Sequence, residues 1–272
     1  MSRRGVRTVV AFEAAKLRAQ FKPRAVLALC AAGPFAFVGA VRLQSTVPAD
    51  TLFGRHMKES GFAAPLVVLG FAALWALPVL TSVVAGDLFS AEDRYGTWTT
   101  VLTRSRSRAE VFAGKVVTAL AFSTLAVAVL GASSLFAGVL LVGRQPLVDL
   151  SGVLLPSAPA FGRVVLAWLS VLPPAFGFTA LAVLASVATR SSAAGIGLPV
   201  VAGLLMQLCA YMDGPEAVRR LLLGSGFGAW HGLLTEHPYF RPVIDGTIGG
   251  GAYAAVCLTL AYRILRHRDI GG

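Results

Sequence analysis

The sequence predicts an all-α, polytopic membrane protein with six transmembrane helices, an N-terminal amphipathic interfacial helix and an external re-entrant segment before the last span. Hydrophobic residues make up 56% of its 272 residues and charged residues only 14%, whereas soluble domains carry about 25% charged residues. Six uncharged runs of 17 to 28 residues reach or approach the length needed to cross a bilayer, which is ~20 apolar residues. No soluble catalytic domain fits in the remainder.

These runs predict a single transmembrane domain over residues 1–272. The interfacial helix occupies 5–22, a cytoplasmic loop 87–111 and the external re-entrant segment 219–240. The predicted spans lie at about residues 25–41, 62–86, 112–142, 164–188, 192–212 and 245–263.

The interfacial helix is predicted from apolar residues that recur every three or four positions on one helical face. Basic residues decorate the remainder, and Pro23 is expected to end the helix. Such a basic amphipathic helix suits the membrane interface, with membrane lipid as its partner. The apolar face consists of Val6, Val10, Ala14, Leu17 and Phe21.

The charge distribution predicts the orientation of the chain. If six spans follow a cytoplasmic N-terminus, the inside segments hold 16 basic and six acidic residues, a net charge of +10. The outside segments hold eight basic and seven acidic residues, a net charge of +1. Because cytoplasmic loops collect Lys and Arg, both termini are predicted to be cytoplasmic, in a multi-pass protein of the cell membrane. The total of +11 is therefore a topology signal, and no nucleic-acid partner is expected.

The loop after the second span is the most informative segment, because it is longer and more polar than a mere connection requires. Residues 86–115 read GDLFSAEDRYGTWTTVLTRSRSRAEVFAGK. Gly96 is expected to release one helix and Thr97 to begin another. A short helix from Trp98 to Leu102 would follow, and then a basic stretch that contains Arg104 and Arg108. A short cytoplasmic helix with an aromatic residue and cations has the form of a docking element.

This segment resembles the corresponding region of type 2 ATP-binding-cassette (ABC) exporter permeases. Glu92 matches the family's acidic residue, Gly96-Thr97 its Gly-Thr pair, Ser107-Arg108 its turn and Gly114-Lys115 its helix restart. The family's usual proline is missing near Ser105. The whole layout of interfacial helix, six spans and re-entrant segment is also similar to the family.

The resemblance implies a coupling helix that docks into a separate ABC ATPase subunit. The implied docking residues are Glu92, Gly96, Thr97, Trp98, Leu102, Arg104 and Arg108. Two ATPase copies would act with two permease chains, as a homodimer or with a related paralogue. The alternative interpretation of these charged residues is an ordinary solvated loop that obeys the topology rule.

The chain itself is expected to be no enzyme. Around Gly114-Lys115, a phosphate-binding loop would need Gly in place of Ala109 and Ser or Thr in place of Val116. No cofactor is expected in this chain, since ATP and Mg would belong to the partner ATPase. His231 and His237 lack the i, i+4 spacing of a helical zinc pair, so no metal site is expected.

The uncharged runs also indicate what kind of molecule could pass. They contain no Asp, Glu, Lys, Arg or His, and such residues inside spans usually mark ion or proton pathways. An apolar or amphipathic cargo such as a drug, lipid, peptide or glycolipid is therefore favoured. Phe71, Trp75, Phe176 and Gln207 are candidates to line its path, although packing against lipid or core is an alternative for each.

The sequence thus favours the permease subunit of an ABC exporter. A non-transport assembly or anchoring subunit is the first alternative, and an ion-coupled secondary transporter is the second.

Overall fold

A computed structural model describes residues 3–44, 51–98, 107–211 and 222–268. Six helices in these ranges are long and apolar enough to cross a membrane, as the sequence predicts. Helix α1 (Arg3–Ala19) precedes the first span, α2 (Phe21–Leu43). Pro23 does not end α1 as expected but lies in the first turn of α2. The backbone N–H groups of a first turn have no partner within the helix, so proline is tolerated there.

The second span is continuous but changes its winding. It consists of α3 (Ala63–Phe71), a π-helical turn (Ala72–Ala76) and α4 (Leu77–Arg94). Pro78 is the second residue after the π turn. Proline cannot donate a backbone hydrogen bond to the preceding turn, and the wider winding accommodates it. Turns of this π-helical kind often mark functional sites.

The third span, α5 (Arg108–Leu141), is a single long helix. The fourth is broken just before its Pro173-Pro174 pair into α6 (Ser157–Ser170) and α7 (Leu172–Thr189). Both prolines fall within the first turn of α7, where they are tolerated. The fifth and sixth spans are α8 (Ser192–Tyr211) and α9 (Arg241–His267).

Short structures cover the end of the bundle that the sequence assigns to the outside. A 3-10 turn (Gly54–His56) precedes the second span, and strands β1 (Leu147–Val148) and β2 (Leu154–Leu155) pair as an antiparallel hairpin. A 3-10 helix (Leu223–Leu234) occupies the centre of the predicted re-entrant segment. The hairpin and the start of α6 at Ser157 both precede residue 164, where the fourth span is predicted to begin.

The hairpin is anchored to the 3-10 helix by polar contacts. Leu150 N donates to Leu234 O (2.8 Å), and Glu236 N donates to Ser151 Oγ (3.1 Å). Arg163 Nη1 donates to Thr235 O (2.5 Å) and lies 3.9 Å from Asp149 Oδ2. The hairpin, α6 and the 3-10 helix therefore form one external cap.

Two glycine contacts bring spans unusually close together. A Cβ on Gly86 of α4 would lie 2.5 Å from the backbone of Gly195 in α8. A Cβ on Gly250 of α9 would lie 2.3 Å from Pro173 O, at the break of the fourth span. Small residues let membrane helices meet backbone to backbone in this way.

Replacing Gly250 with Ala should destabilise the protein, because the added methyl group would force α9 away from the start of α7. Overpacking of this kind costs roughly 1–3 kcal/mol. Gly251→Ala is the matched control, since a Cβ there meets nothing within 4 Å and Ala favours the helix. Thermal unfolding in nanodiscs should show a lower midpoint for G250A only. Equal midpoints for the two variants would contradict this packing.

Candidate functional site

The loop after the second span begins at a well-formed helix stop. At the end of α4, Gly96 adopts φ +62, a left-handed conformation that glycine takes without strain. Thr97 N donates to Glu92 O (3.0 Å) and Gly96 N to Asp93 O (3.3 Å). This pair of bonds is the Schellman motif. The predicted role of Gly96 in releasing the helix is therefore confirmed, and it fixes the direction in which the chain leaves α4.

Glu92, one turn before this stop, is buried rather than displayed to a partner. Its side chain is 2% exposed. Its Oε1 accepts hydrogen bonds from Lys16 Nζ (2.7 Å) and Lys115 Nζ (2.9 Å), and its Oε2 accepts one from the Thr97 hydroxyl. The Thr97 side chain thus turns back toward α4. Glu92 and Thr97 hold the loop in place from within.

Lys115 is the centre of this cluster. It is fully buried, and its ammonium group donates to Glu13 Oε1 (2.6 Å), Glu92 Oε1 (2.9 Å) and Leu88 O (2.9 Å). All three N–H groups are therefore used. A buried charge is tolerable only when it is paired and fully hydrogen-bonded, and here the partners come from α1 and α4, while Lys115 belongs to α5.

Lys16 completes the cluster at its solvent edge. Its Nζ lies 2.7 Å from Glu92 Oε1 and 3.8 Å from Glu13 Oε2. Burial by itself lowers the pKa of Lys16, but the hydrogen bond to Glu92 and the charges of Glu13, Glu92 and Asp87 raise it above its ordinary value. Two cations and two carboxylates therefore form a neutral set, which we call the four-charge cluster (Glu13, Lys16, Glu92 and Lys115).

A second network joins the loop to the end of the last span. Asp93 accepts from Trp98 Nε1 (3.0 Å) and from both terminal nitrogens of Arg268, at 3.1 Å for the Nη1–Oδ2 bond. Arg108 Nη1 donates to Leu265 O (3.2 Å), Arg266 O (2.9 Å) and Arg268 O (2.7 Å). Arg108 thus caps the carbonyls that the end of α9 leaves unpaired.

The far side of the loop is closed by a capping box. Glu110 N donates to Ser107 Oγ (3.2 Å) and Ser107 N donates to Glu110 Oε2 (3.4 Å). Helix α5 therefore begins at Arg108, before the Gly114-Lys115 restart that the sequence suggests. The Ser-x-x-Glu pattern at 107–110 would have predicted this start. Leu102 and Arg104, two of the predicted docking residues, lie outside the described residues.

A cavity of about 440 Å³ lies near the opposite end of the bundle, between the second span, α8 and the external 3-10 helix. Phe71 and Gln207, both predicted to line the cargo path, line this cavity. Trp75 borders a neighbouring groove beside α2, and Phe176 lies on neither surface. None of the residues that line the cavity is an acid, a lysine or an arginine. The structure thus brings together two of the four predicted path residues.

The cavity wall includes polar groups that sequence analysis did not assign to it. Trp230 and His231 stack with ring centroids 3.9 Å apart, and His231 Nδ1 lies 2.6 Å from Gly228 O. Burial lowers the pKa of His231, although the Gly228 carbonyl opposes this, so the neutral imidazole is favoured. The buried Trp230 Nε1 has no hydrogen-bond partner in the described part of the chain. Only the fold joins residues 230–231 to residues near position 70.

No metal centre accompanies these sites in the described ranges, where no three His, Cys, Asp or Glu side chains gather closely enough to hold an ion.

Comparison with known proteins agrees with the layout. The sequence profile of the ABC-2 family transporter proteins matches residues 9–206, well over half of the chain. This match includes most of α1, the first four spans, the loop after the second span and most of α8. No curated protein matches the sequence significantly.

Removing one partner from the four-charge cluster should destabilise the loop side of the bundle. Glu92→Gln leaves two cations against one carboxylate, and removing one partner of a buried pair costs about 3–5 kcal/mol. Lys115→Met leaves two carboxylates against one cation, whereas the double variant Glu92→Gln/Lys115→Met leaves the Glu13–Lys16 pair balanced and should recover part of the loss. Thermal unfolding of wild type, both single variants and the double variant measures the coupling.

Glu59→Gln is the control for this cycle, since that side chain is 69% exposed near the outer end. Exposed ion pairs contribute little, so its midpoint should match the wild type. If E92Q and K115M were simply additive in the double variant, the two side chains would not be energetically coupled.

Proposed function

Because the chain belongs to the ABC-2 family of transporter proteins, we propose that it is the permease subunit of an ABC exporter. It moves a hydrophobic or amphipathic molecule outward, and ATP is hydrolysed on a separate ATPase subunit. The chain is a multi-pass membrane protein of a family whose members are membrane components and normally pair with such an ATPase. The observation that carries the proposal is the anchoring of the loop after the second span to four helices.

This anchoring allows the loop to transmit a displacement to several helices at once. At its start, Glu92 connects α4 to α1 and α5 through the four-charge cluster. Asp93, the next residue, connects it to the end of α9 through Arg268. A force applied by a docked ATPase between residues 95 and 107 would therefore reach α1, α4, α5 and α9 together.

The buried position of Glu92 and the capping role of Arg108 refine the proposed docking residues. We infer that Glu92, Gly96, Thr97 and Arg108 position the docking segment. Trp98 is buried and donates to Asp93, so it also belongs to the positioning residues. Direct contact with the ATPase would then fall to the segment after Trp98, including Leu102 and Arg104. Two ATPase copies and a second permease chain complete the proposed assembly, with both termini cytoplasmic in the cell membrane.

The external cavity supports the proposed class of cargo. Its wall combines apolar and aromatic surface with a few polar groups and no permanently charged side chain. Burying an ionised cargo group there would be costly, because no opposite charge would compensate it. An uncharged apolar or amphipathic molecule fits best, and the neutral imidazole of His231 and the amide of Gln207 could orient its polar end.

Docking is tested by co-purification from the native host in mild detergent. Residues 99–104 are replaced by a Gly-Ser linker of equal length, so that the anchoring networks remain. The same replacement of residues 45–50, in the loop predicted to be external, is the matched control. A nucleotide-binding protein with ATPase activity should accompany the wild type and the control and be lost from the first variant.

Size-exclusion chromatography of both linker variants is the control for their folding. Retention of the ATPase by all three proteins would show that it docks elsewhere, and an ATPase-free wild-type preparation would contradict the transporter proposal.

Transport through the cavity is tested in proteoliposomes that contain the chain and its ATPase. Gly70 lines the cavity, and a Cβ there meets nothing within 4 Å, so Gly70→Leu should fill the space without clashes. ATP-dependent movement of an uncharged lipophilic dye should fall several-fold. Gly39→Leu in α2, an equally open position outside the cavity, should transport normally. Equal rates for both variants would place the path elsewhere.

A further inference from the structure

A second large cavity lies on the loop side of the bundle, where α1, α2 and α5 meet. It measures about 490 Å³, and its walls are mostly apolar. Leu17 of α1, Leu27 of α2, and Phe122 and Leu125 of α5 supply most of the apolar surface. Thr118 and Leu125 are seven residues apart on α5, so the cavity extends about 10 Å along that helix. This is a slot that runs from the predicted membrane interface toward the bilayer interior.

Two arginines, Arg18 and Arg24, stand at this cavity and have no acidic partner among the described residues. The other cations nearby are compensated: Lys16 and Lys115 by the four-charge cluster, and Lys22 by Asp87 at 3.6 Å. The positive charge left unpaired around the cavity is therefore confined to these two side chains.

The two arginines are held together by the backbone. Arg24 Nε donates to Arg18 O at 2.5 Å, across the break between α1 and α2. This bond keeps the Arg24 side chain beside the end of α1 and leaves its terminal N–H groups available. Arginine presents several donors in a planar fork that suits phosphate oxygens.

We propose that this cavity binds an anionic glycerophospholipid of the cytoplasmic leaflet. The phosphate lies between Arg18 and Arg24, and an acyl chain follows Leu27, Phe122 and Leu125. The proposal rests on the cytoplasmic orientation given above but not on the identity of the cargo or on ATPase docking. A lipid is favoured over a soluble phosphate because the cavity walls are apolar and the slot continues into the bilayer.

Such a lipid would contact α1, the helix that also helps to hold the loop after the second span. Glu13 and Lys16 of α1 belong to the four-charge cluster, and Leu17 and Arg18 face the cavity. An anionic lipid that bridges α1 and α2 would therefore hold α1 in the position that its contacts with Glu92 and Lys115 require.

The experiment is native mass spectrometry of the purified, delipidated chain in neutral detergent. The probes are phosphatidylglycerol, phosphatidylcholine with the same acyl chains, and soluble glycerol phosphate. The wild type should retain phosphatidylglycerol in preference to phosphatidylcholine and should not retain glycerol phosphate. Each arginine near an anionic lipid surface strengthens the binding of that lipid. Losing both should therefore reduce the affinity for phosphatidylglycerol roughly 30-fold.

Three variants locate the effect. Arg18→Gln/Arg24→Gln should abolish the preference, while Arg4→Gln/Arg7→Gln removes the same charge from α1 away from the cavity and should preserve it. Ala121→Trp keeps both arginines but fills the cavity from an exposed position, and it should weaken phosphatidylglycerol binding as well.

Two results would overturn the proposal. Equal losses in both double variants would show only a diffuse attraction to the basic helix. Equal retention of the two lipids by the wild type, or binding of glycerol phosphate as tight as that of the lipid, would show that no anionic-lipid site exists there. Because the ATPase is absent from this assay, its outcome is independent of the docking experiment.

Discussion

The buried ammonium group of Lys115 is the constraint on which the loop side of the molecule depends. A full charge without contact to solvent must be surrounded by acceptors, and those acceptors come from Glu13, Glu92 and the carbonyl of Leu88. Three helices are thereby fixed relative to one another, since α1, α4 and α5 each contribute to the cluster. Glu92 has a second role, because its backbone carbonyl closes the helix stop at Gly96.

The neighbouring residue, Asp93, extends this arrangement to the last span. It binds Arg268, while Arg108 at the other end of the loop caps the same helix. The loop between residues 95 and 107 is therefore bounded on both sides by contacts with α9. The coupling proposed above needs a loop that is rigidly attached, and ion pairs and hydrogen bonds to α1, α5 and the end of α9 provide this attachment.

A continuous series of helix contacts links the loop after the second span to the external cavity. Helix α4 meets α8 backbone to backbone at Gly86 and Gly195, and α8 carries Gln207 to the cavity. The second span reaches the same cavity beyond its π turn. A shift of α4 would thus displace both spans that line the cavity, because helices in such close contact cannot slide independently.

The sequence by itself determined the six spans and the stop at Gly96. Each is a local property: an apolar run in the first case and a missing Cβ in the second. It could not decide what joins residues distant in sequence. Glu13 and Lys115 are 102 positions apart, and Trp230 meets residues near position 70 only in the fold. Tertiary structure decided the burial of Glu92, the hydrogen bonds from Arg108 to the end of α9, and both cavities. A charged residue in a loop has the same sequence signature whether it is solvated or paired, and only the packing of helices determines which partner it meets.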